Sequence, residues 1–363
     1  MMKRIGLILF TVSFIASVGY FMIVENKTEQ ITYKDGPYVL NIFNDSFKVL
    51  EFDSDTAATT GINIKYTNVE RVKFLDRVIT KNVAAPLSDS ISLFANVDSV
   101  FSVGDLHGEY EAIVDLLKNN LVIDDHLNWN FGTGHLVFCG DVFDRGSKVT
   151  ECLWFIYKLE QQAYQAGGKV HFLLGNHEIM TLSGDLRYLH RKYKTIQEKS
   201  GIPYSFLFNE NTFFGKWMRE KNAVVKINNT IYVHGGLHPD LIKRNISVEK
   251  MNALIRTYLN HQDFSEEISF LINTHGPLWY RGYVQDDKAY RKTTQSEIDK
   301  LLVHYNAERI VFAHTTVSDI LPLYQSKVFA IDVPLSNQKG KALLIVGDET
   351  YKIDKTGTRT IIK

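Results

Sequence analysis

The chain has 363 residues, enough for one large or two medium domains, and its 41 basic and 41 acidic side chains leave no formal net charge. That balance argues against a protein that coats nucleic acid and against a polybasic binder of membrane surfaces. With 45% hydrophobic and 12% aromatic residues and only 7 prolines, the chain is neither disordered nor collagenous, and it can bury a sizeable core. Its two cysteines, Cys139 and Cys152, stand in no CxxC or CxxH spacing, which leaves no disulfide framework and no thiolate-based structural zinc site.

Behind Lys3 and Arg4 comes an uncharged run over residues 5–24, which is 20 residues long and ends at Glu25. As a helix it spans roughly 30 Å, about one hydrocarbon core. Residues 1–24 therefore read as a secretory signal peptide or, because the run is long for a signal core and lacks an Ala-x-Ala site, as an uncleaved membrane anchor. Lys3 and Arg4 stay on the cytoplasmic side in either case. The expectation is an exported, periplasmic protein, anchored to the inner membrane through residues 5–24 or secreted after cleavage.

Residues 25–96 contain short β-prone stretches, with a hairpin-like break at Asn44-Asp45-Ser46, and read as a β-rich accessory region without chemistry of its own. The pattern changes at residue 97. Apolar strands at 99–103, 135–139 and 169–174 each stop at a glycine and a polar cluster, and amphipathic helices follow at 109–119 and 149–166. Strand, loop and helix recurring at about 35 residues indicates βαβ units and an α/β domain over 97–363. Residues 182–222 form a polar, aromatic, partly helical insert that directly follows one of these loops, a candidate lid or substrate wall. Beyond it lie a hairpin at 223–233, a helix at 248–258 and a strand at 309–313; the tail at 328–332, 342–346 and 350–353 reads as a final antiparallel set.

In such sheets function gathers at the carboxyl ends of the strands. The loops there are Gly104-Asp105-Leu106-His107-Gly108, Gly140-Asp141-Val142-Phe143-Asp144-Arg145-Gly146, Gly175-Asn176-His177-Glu178, His234-Gly235-Gly236 and Ala313-His314-Thr315. A single Gly-Asp is a common turn and a lone histidine is usually a hydrogen-bonded structural residue. Five such loops, all at strand ends of one domain, are not a coincidence of turns. Carboxylate and amide oxygens with neutral imidazoles suit manganese, iron(II) or zinc, and six ligands are too many for one ion with open positions. They fit two ions roughly 3.5–4 Å apart, the arrangement that activates water and clamps a phosphoryl group.

The run GDLHG, GDVFDRG, GNHE, HGGLHPDL and AHT is similar to the phosphoprotein phosphatase family of calcineurin-like metallophosphoesterases. GDVFDRG and GNHEIMTLSGDLRY most resemble its Shewanella-like and bacterial branch, and the resemblance covers residues 97–346. It implies a four-layer α-β-β-α sandwich with a central pair of mixed sheets, here carrying an N-terminal β-rich extension. It also implies that Asp105, His107 and His314 hold one metal, Asn176 and His234 a second, and that Asp141 bridges them. His177 would be the general acid, with Asp144 as its carboxylate partner. Arg145 would clamp phosphate oxygens, and Arg281, in Trp279-Tyr280-Arg281-Gly282, would be a second clamp, although its context departs from the eukaryotic pattern.

The activity so implied is metal-dependent hydrolysis of phosphate monoesters, through in-line attack by a hydroxide shared between two divalent ions, on phosphoprotein serine, threonine or tyrosine. Hydrolysis of small phosphoesters or diadenosine tetraphosphate uses similar motifs, and a degenerate binding protein of the same fold is the non-enzymatic alternative. No nucleic-acid partner is expected. Four further residues read as structural: His171 inside a strand, His238 near the HGG loop, Glu178 as a hydrogen-bond partner, and Cys139 in an apolar strand that gives no reason for a reactive thiolate.

Overall fold

The computed structural model describes residues 33–43, 46–53, 63–69, 71–74, 77–80, 89–261, 263–336 and 340–362. The apolar run at 5–24 lies outside them, and no helix among the described residues is long and apolar enough to cross a membrane. The accessory strands β1 (Asp35–Phe43), β2 (Ser46–Asp53) and β3 (Asn63–Val69) form an antiparallel three-stranded sheet. A separate hairpin follows, β4 (Arg71–Phe74) and β5 (Arg77–Thr80). The short strand β6 (Leu93–Phe94), within the span read as accessory, instead joins the second large sheet.

The next units alternate as the sequence pattern predicts: β7 (Ser99–Val103), α1 (Tyr110–Asn119), β8 (His135–Phe138), α2 (Val149–Gln165), β9 (Lys169–Phe172) and α3 (Asn176–Leu182). The insert supplies α4 (Arg191–Ser200), a 3-10 turn at Tyr204–Phe208 and α5 (Phe213–Arg219). The second half contains β10 (Val224–Ile227), β11 (Thr230–Val233), α6 (Asp240–Lys243), α7 (Val248–His261), α8 (Glu266–Ile272), α9 (Gln295–His304) and β12 (Arg309–Phe312). It ends in β13 (Leu321–Leu323), β14 (Val328–Ala330), β15 (Lys341–Val346), β16 (Glu349–Asp354) and β17 (Arg359–Ile361).

Two six-stranded mixed sheets result, in the orders β17-β16-β15-β7-β8-β9 and β13-β14-β12-β11-β10-β6. Side-chain alternation explains the layering. Phe101, Leu136 and Phe138 face the helices α1 and α2, while Val100, Val137 and Cys139 face the other sheet. In the second sheet Val224, Ile231, Val233 and Phe312 face α7 and α9, and Val225, Tyr232 and Val311 face inward. Strands buried on both faces read as continuous apolar runs, and each fully buried Val, Leu or Phe contributes about 1.5–3 kcal/mol. This is the four-layer sandwich that the motifs imply.

One expectation changes. The tail does not form one antiparallel set: β15 and β16 do pair antiparallel in the first sheet, but β14 runs parallel to β12 in the second. Periodicity marks a segment as a strand and carries no information about its partner, so the sequence alone groups residues 328–332 with their neighbours in the chain.

The insert is held down by its aromatic residues. Tyr193, Tyr204, Phe208, Phe213, Phe214 and Trp217 are buried in the same core as Tyr38 and Phe52 of the accessory sheet and Trp154 of α2. Phe213 stacks on Trp154 at 5.3 Å, and Phe208 meets both Tyr38 (5.9 Å) and Phe143 of the GDVFDRG loop (4.9 Å). A buried polar knot joins the same parts: Lys192 of α4 donates to Asp35 of β1 and to the Ser147 main-chain oxygen (3.0 Å each), while Tyr38 bonds Asp35 and Thr150. Asp35→Ala strands the buried Lys192 charge, so it should lower unfolding free energy by about 3 kcal/mol in a denaturant titration; Asp53→Ala, whose partner Lys34 is exposed, should change it by less than about 1 kcal/mol.

Candidate dinuclear metal centre

Each polar loop begins where a parallel strand stops. Strands β7, β8 and β9 run parallel in one sheet and β11 and β12 in the other, so their carboxyl ends deliver Asp105, Asp141, Asn176, His234 and His314 to one place. The loops are bonded to one another. Leu106 and His107 both donate their main-chain N–H to the Asp141 carbonyl (3.0 and 2.8 Å), and Ala313 donates to the His234 carbonyl (2.8 Å).

The glycines preceding the ligands allow this convergence. A Cβ at Gly175 would stand 2.2 Å from Asp141 Oδ1, and one at Gly140, whose φ is +95°, would stand 2.7 Å from the Gly175 nitrogen. The loops that carry the site hold strain: His107, Asp141, Asp144, Arg145 and His314 all have φ between 44° and 67°. Left-handed backbone at non-glycine residues costs on the order of 1–3 kcal/mol each and persists only where its surroundings impose it. Glu178 is one such constraint. Fully buried, it accepts main-chain N–H bonds from Asp141 (2.8 Å), Val142 (2.8 Å), Phe143 (3.3 Å) and Gly175 (2.7 Å), tying two loops together. It is a structural partner, as its sequence position suggests.

The side chains converge on Asp141. Candidate ligand atoms of His107, Asp141 and His177 lie within 4.8 Å of one another, as do those of Asp141, His234 and His314. His234 donates Nδ1–H to the Cys139 carbonyl (2.7 Å), which turns Nε2 toward Asp141 Oδ2 (3.2 Å), Asn176 Oδ1 (2.9 Å) and His314 Nδ1 (3.1 Å). His107 likewise gives Nδ1 to the Phe143 carbonyl (2.7 Å) and faces Nε2 toward Asp105 Oδ2 (3.5 Å). Imidazoles held at one nitrogen by a carbonyl and open at the other are arranged as metal ligands. His314 groups on Asp141 with His234, whereas Asp105 reaches His314 through its main-chain N–H (3.1 Å).

The donor set fits divalent ions. His107 Nε2, Asp141 Oδ2 and His314 Nε2 are buried without a hydrogen-bond partner, a costly state for three neighbouring polar atoms unless a cation lies between them. Without one, protons fill the deficit. Burial opposes charging of His107, but Asp105 and Asp141 outweigh it and hold its pKa at about 9. His234 is pushed to about 9 in the same way, chiefly by Asp141, whose own carboxyl lies well below the ordinary range because His234 and His177 outweigh the effect of burial.

Beside this cluster His177 gives Nδ1 to Asp144 Oδ2 at 2.6 Å, and its Nε2 lies 3.8 Å from Asp141 Oδ2. Arg281 reaches the same side: its guanidinium donates to the His314 carbonyl (2.5 Å) and lies 3.4 Å from His314 Nδ1. Arg145 is exposed at the rim. All ten site residues singled out in the sequence therefore lie in or around one centre. Three residues were missed. Asp332 at the end of β14 is buried beside the Asp105 loop, where burial and Asp105 raise its pKa to about 7, and it accepts from Thr316 (2.9 Å). Trp279 sets its ring edge-on to His314 at 5.8 Å, and Tyr188 sets its ring 5.2 Å from His177. Asp332 follows an apolar strand as the ligands do, and the two aromatics carry no local signal.

The residues read as structural also find their places. His171 bonds His135 (3.0 Å) between the sheets, and burial lowers the pKa of both. His238 stacks on His275 at 4.4 Å. Burial, with Asp105, raises the Cys139 thiol far above its ordinary range, which removes it as a nucleophile.

Residues 99–318 match the family model described as calcineurin-like phosphoesterase, more than half of the chain. The chain belongs to that family. Within this phosphoesterase family it is similar to a solved cold-active protein-tyrosine phosphatase of a psychrophilic Shewanella species, with 33% identity and a TM-score of 0.81 over 91% of this chain and 99% of that one. It is also 28% identical to Shewanella-like protein phosphatase 1 of Plasmodium berghei, over 60% of this chain, and spans 60% of that relative's length. Shewanella-like protein phosphatase 2 of Arabidopsis thaliana is 25% identical over 67% of this chain and 73% of its own.

Two outcomes follow from the site. The raised histidines add stability to the metal-free protein that is complete below about pH 6.5 and lost as pH rises through about 9, so its Tm should fall across that window, while the metal-loaded protein should not show the fall. Glu178→Gln turns an N–H donor against main-chain donors and should cost about 2–3 kcal/mol in denaturant unfolding, although Glu178 is no ligand.

Proposed function

We propose that the chain is a metal-dependent phosphatase that hydrolyses phosphate monoesters on protein side chains. The observation that carries this reading is the Asp144–His177 pair, held at 2.6 Å beside a ligand cluster centred on Asp141. Asp105, His107, Asp141, Asn176, His234 and His314 would hold two divalent ions, with manganese, iron and zinc all compatible with these donors. Ions bound there supply the positive charge that neutralises phosphoryl oxygens and makes water a competent nucleophile near neutral pH.

The remaining steps belong to the chain's own groups. In its imidazolium form His177 donates Nδ1–H to Asp144, which orients and stabilises the ring, and presents Nε2–H to the cavity; that proton passes to the leaving oxygen as the P–O bond breaks. Arg281, anchored by one nitrogen to the His314 carbonyl, keeps donors for phosphate oxygens, and Arg145 offers its planar fork from the rim. The named relatives that match over the greater part of this chain are protein phosphatases, which supports a phosphoprotein substrate, whereas symmetrical bis(5'-nucleosyl)-tetraphosphatases match over half of it or less.

We also propose that residues 5–24 export the chain, as an inner-membrane anchor or a cleaved signal; 20 uncharged residues behind Lys3 and Arg4 support this. Recovery of the native protein in the cytosolic fraction would contradict it. For the chemistry, manganese-reconstituted protein should hydrolyse p-nitrophenyl phosphate. His177→Ala should keep its metal and lose about 10²–10⁴-fold in kcat on poor leaving groups but much less on good ones. Equal losses on both would remove the general-acid role, and no turnover by reconstituted wild type would remove the phosphatase reading.

A further inference from the structure

Beyond α3 the chain returns to the rim of the site through Asp185, Arg187 and Tyr188. The Tyr188 ring lies 5.2 Å from the His177 ring at an interplanar angle of 49°, and the Tyr188 carbonyl accepts a hydrogen bond from the Arg145 main-chain N–H (3.2 Å). Tyr188 is 49% exposed, whereas His177 is 3% exposed. The Arg187 guanidinium sits 5.7 Å from the Tyr188 ring centre and is itself forked onto Asp185 (2.7 and 3.0 Å). An open aromatic surface thus stands beside the imidazole that presents its proton, braced by the main chain of the Arg145 loop on one hand and by a cation on the other.

Resting on the phosphatase reading above, we propose that Tyr188 is a specificity-determining residue that packs against an aromatic leaving group and favours phosphotyrosine over phosphoserine. The leaving oxygen must lie within hydrogen-bond reach of His177 Nε2, about 2.6–3.2 Å. The ring of a phenyl ester begins at that oxygen, so on the Tyr188 side of His177 it has room to approach the Tyr188 ring to the roughly 4.5–7 Å spacing of aromatic pairs. A seryl ester places one methylene there and leaves the Tyr188 face in water. The contact is apolar and lies on the leaving-group side, so it acts through substrate binding rather than through the proton transfer itself.

The test compares kcat/KM of the manganese-loaded full chain on two peptides of identical sequence, one with phosphotyrosine and one with phosphoserine. Tyr188→Ala should lower the phosphotyrosine value about tenfold, chiefly through KM, and the phosphoserine value by less than about threefold. Tyr188→Phe keeps the ring and should restore the wild-type ratio between the peptides. Tyr188→Leu keeps apolar bulk without a ring; it should support the Arg145 loop but still lose selectivity. Equal losses on both peptides in the Ala and Leu variants, or a Phe variant that behaves as Ala does, would overturn the proposal. Failure of the wild type on both peptides and on p-nitrophenyl phosphate would overturn the phosphatase reading itself, and this inference with it.

Discussion

A single buried carboxylate, Asp141, holds the centre together. It stands 1% exposed among the rings of His107, His177 and His234, and one of its oxygens has no hydrogen-bond partner. A charge so placed is expensive unless cations meet it, and the rest of the site supplies or accommodates them. The two sheets bring their parallel strands to a common edge so that imidazoles from both can reach this carboxylate. The glycines before Asp141 and Asn176 clear the space, and Glu178 secures the strained loops from beneath. The fold is thus arranged around a point of negative potential in its interior, and zero net charge over the chain is no guide to it.

The surrounding architecture explains why loops under such backbone strain stay in place. Phe143 lies between Val142, whose N–H is held by Glu178, and Asp144, which holds His177, and its ring is buried against Phe208 of the insert. Phe208 in turn packs on Tyr38 of the accessory sheet, and the Asp35–Lys192 pair ties that sheet to the Ser147 end of the same loop. The region without chemistry of its own and the insert expected to act as a lid therefore form one support behind the catalytic loops. Only the part of the insert around Asp185 and Tyr188 reaches the rim.

Much of this was legible in the sequence because the signals are local. An apolar strand that ends in Gly-Asp, Gly-Asn or His announces both the strand and the residue at its carboxyl end, and Asp105, Asp141, Asn176, His234 and His314 were readable on that basis. The pairing of Asp144 with His177 came from resemblance, since their separation in sequence offers no geometric clue. What was not legible is non-local. Nothing in residues 328–332 says that β14 joins β12 in the second sheet, and this misassignment also hid Asp332 at its end. Residues 182–222 read as a polar, aromatic insert and candidate lid because the spacing of their aromatic residues is irregular, although those rings fill the core beside α2. Tyr188 and Trp279 reach the centre from loops whose paths depend on tertiary packing.

The account stands or falls on Asp141 as a bridge between two ions. Anomalous scattering from crystals of the manganese-loaded protein tests this directly. The account predicts two peaks roughly 3.5–4 Å apart, both in contact with Asp141 Oδ2, the oxygen left free while Oδ1 accepts from the His177 main-chain N–H, with His107 beside one and His234 beside the other. A single peak, or a second peak that does not contact Asp141, would contradict it.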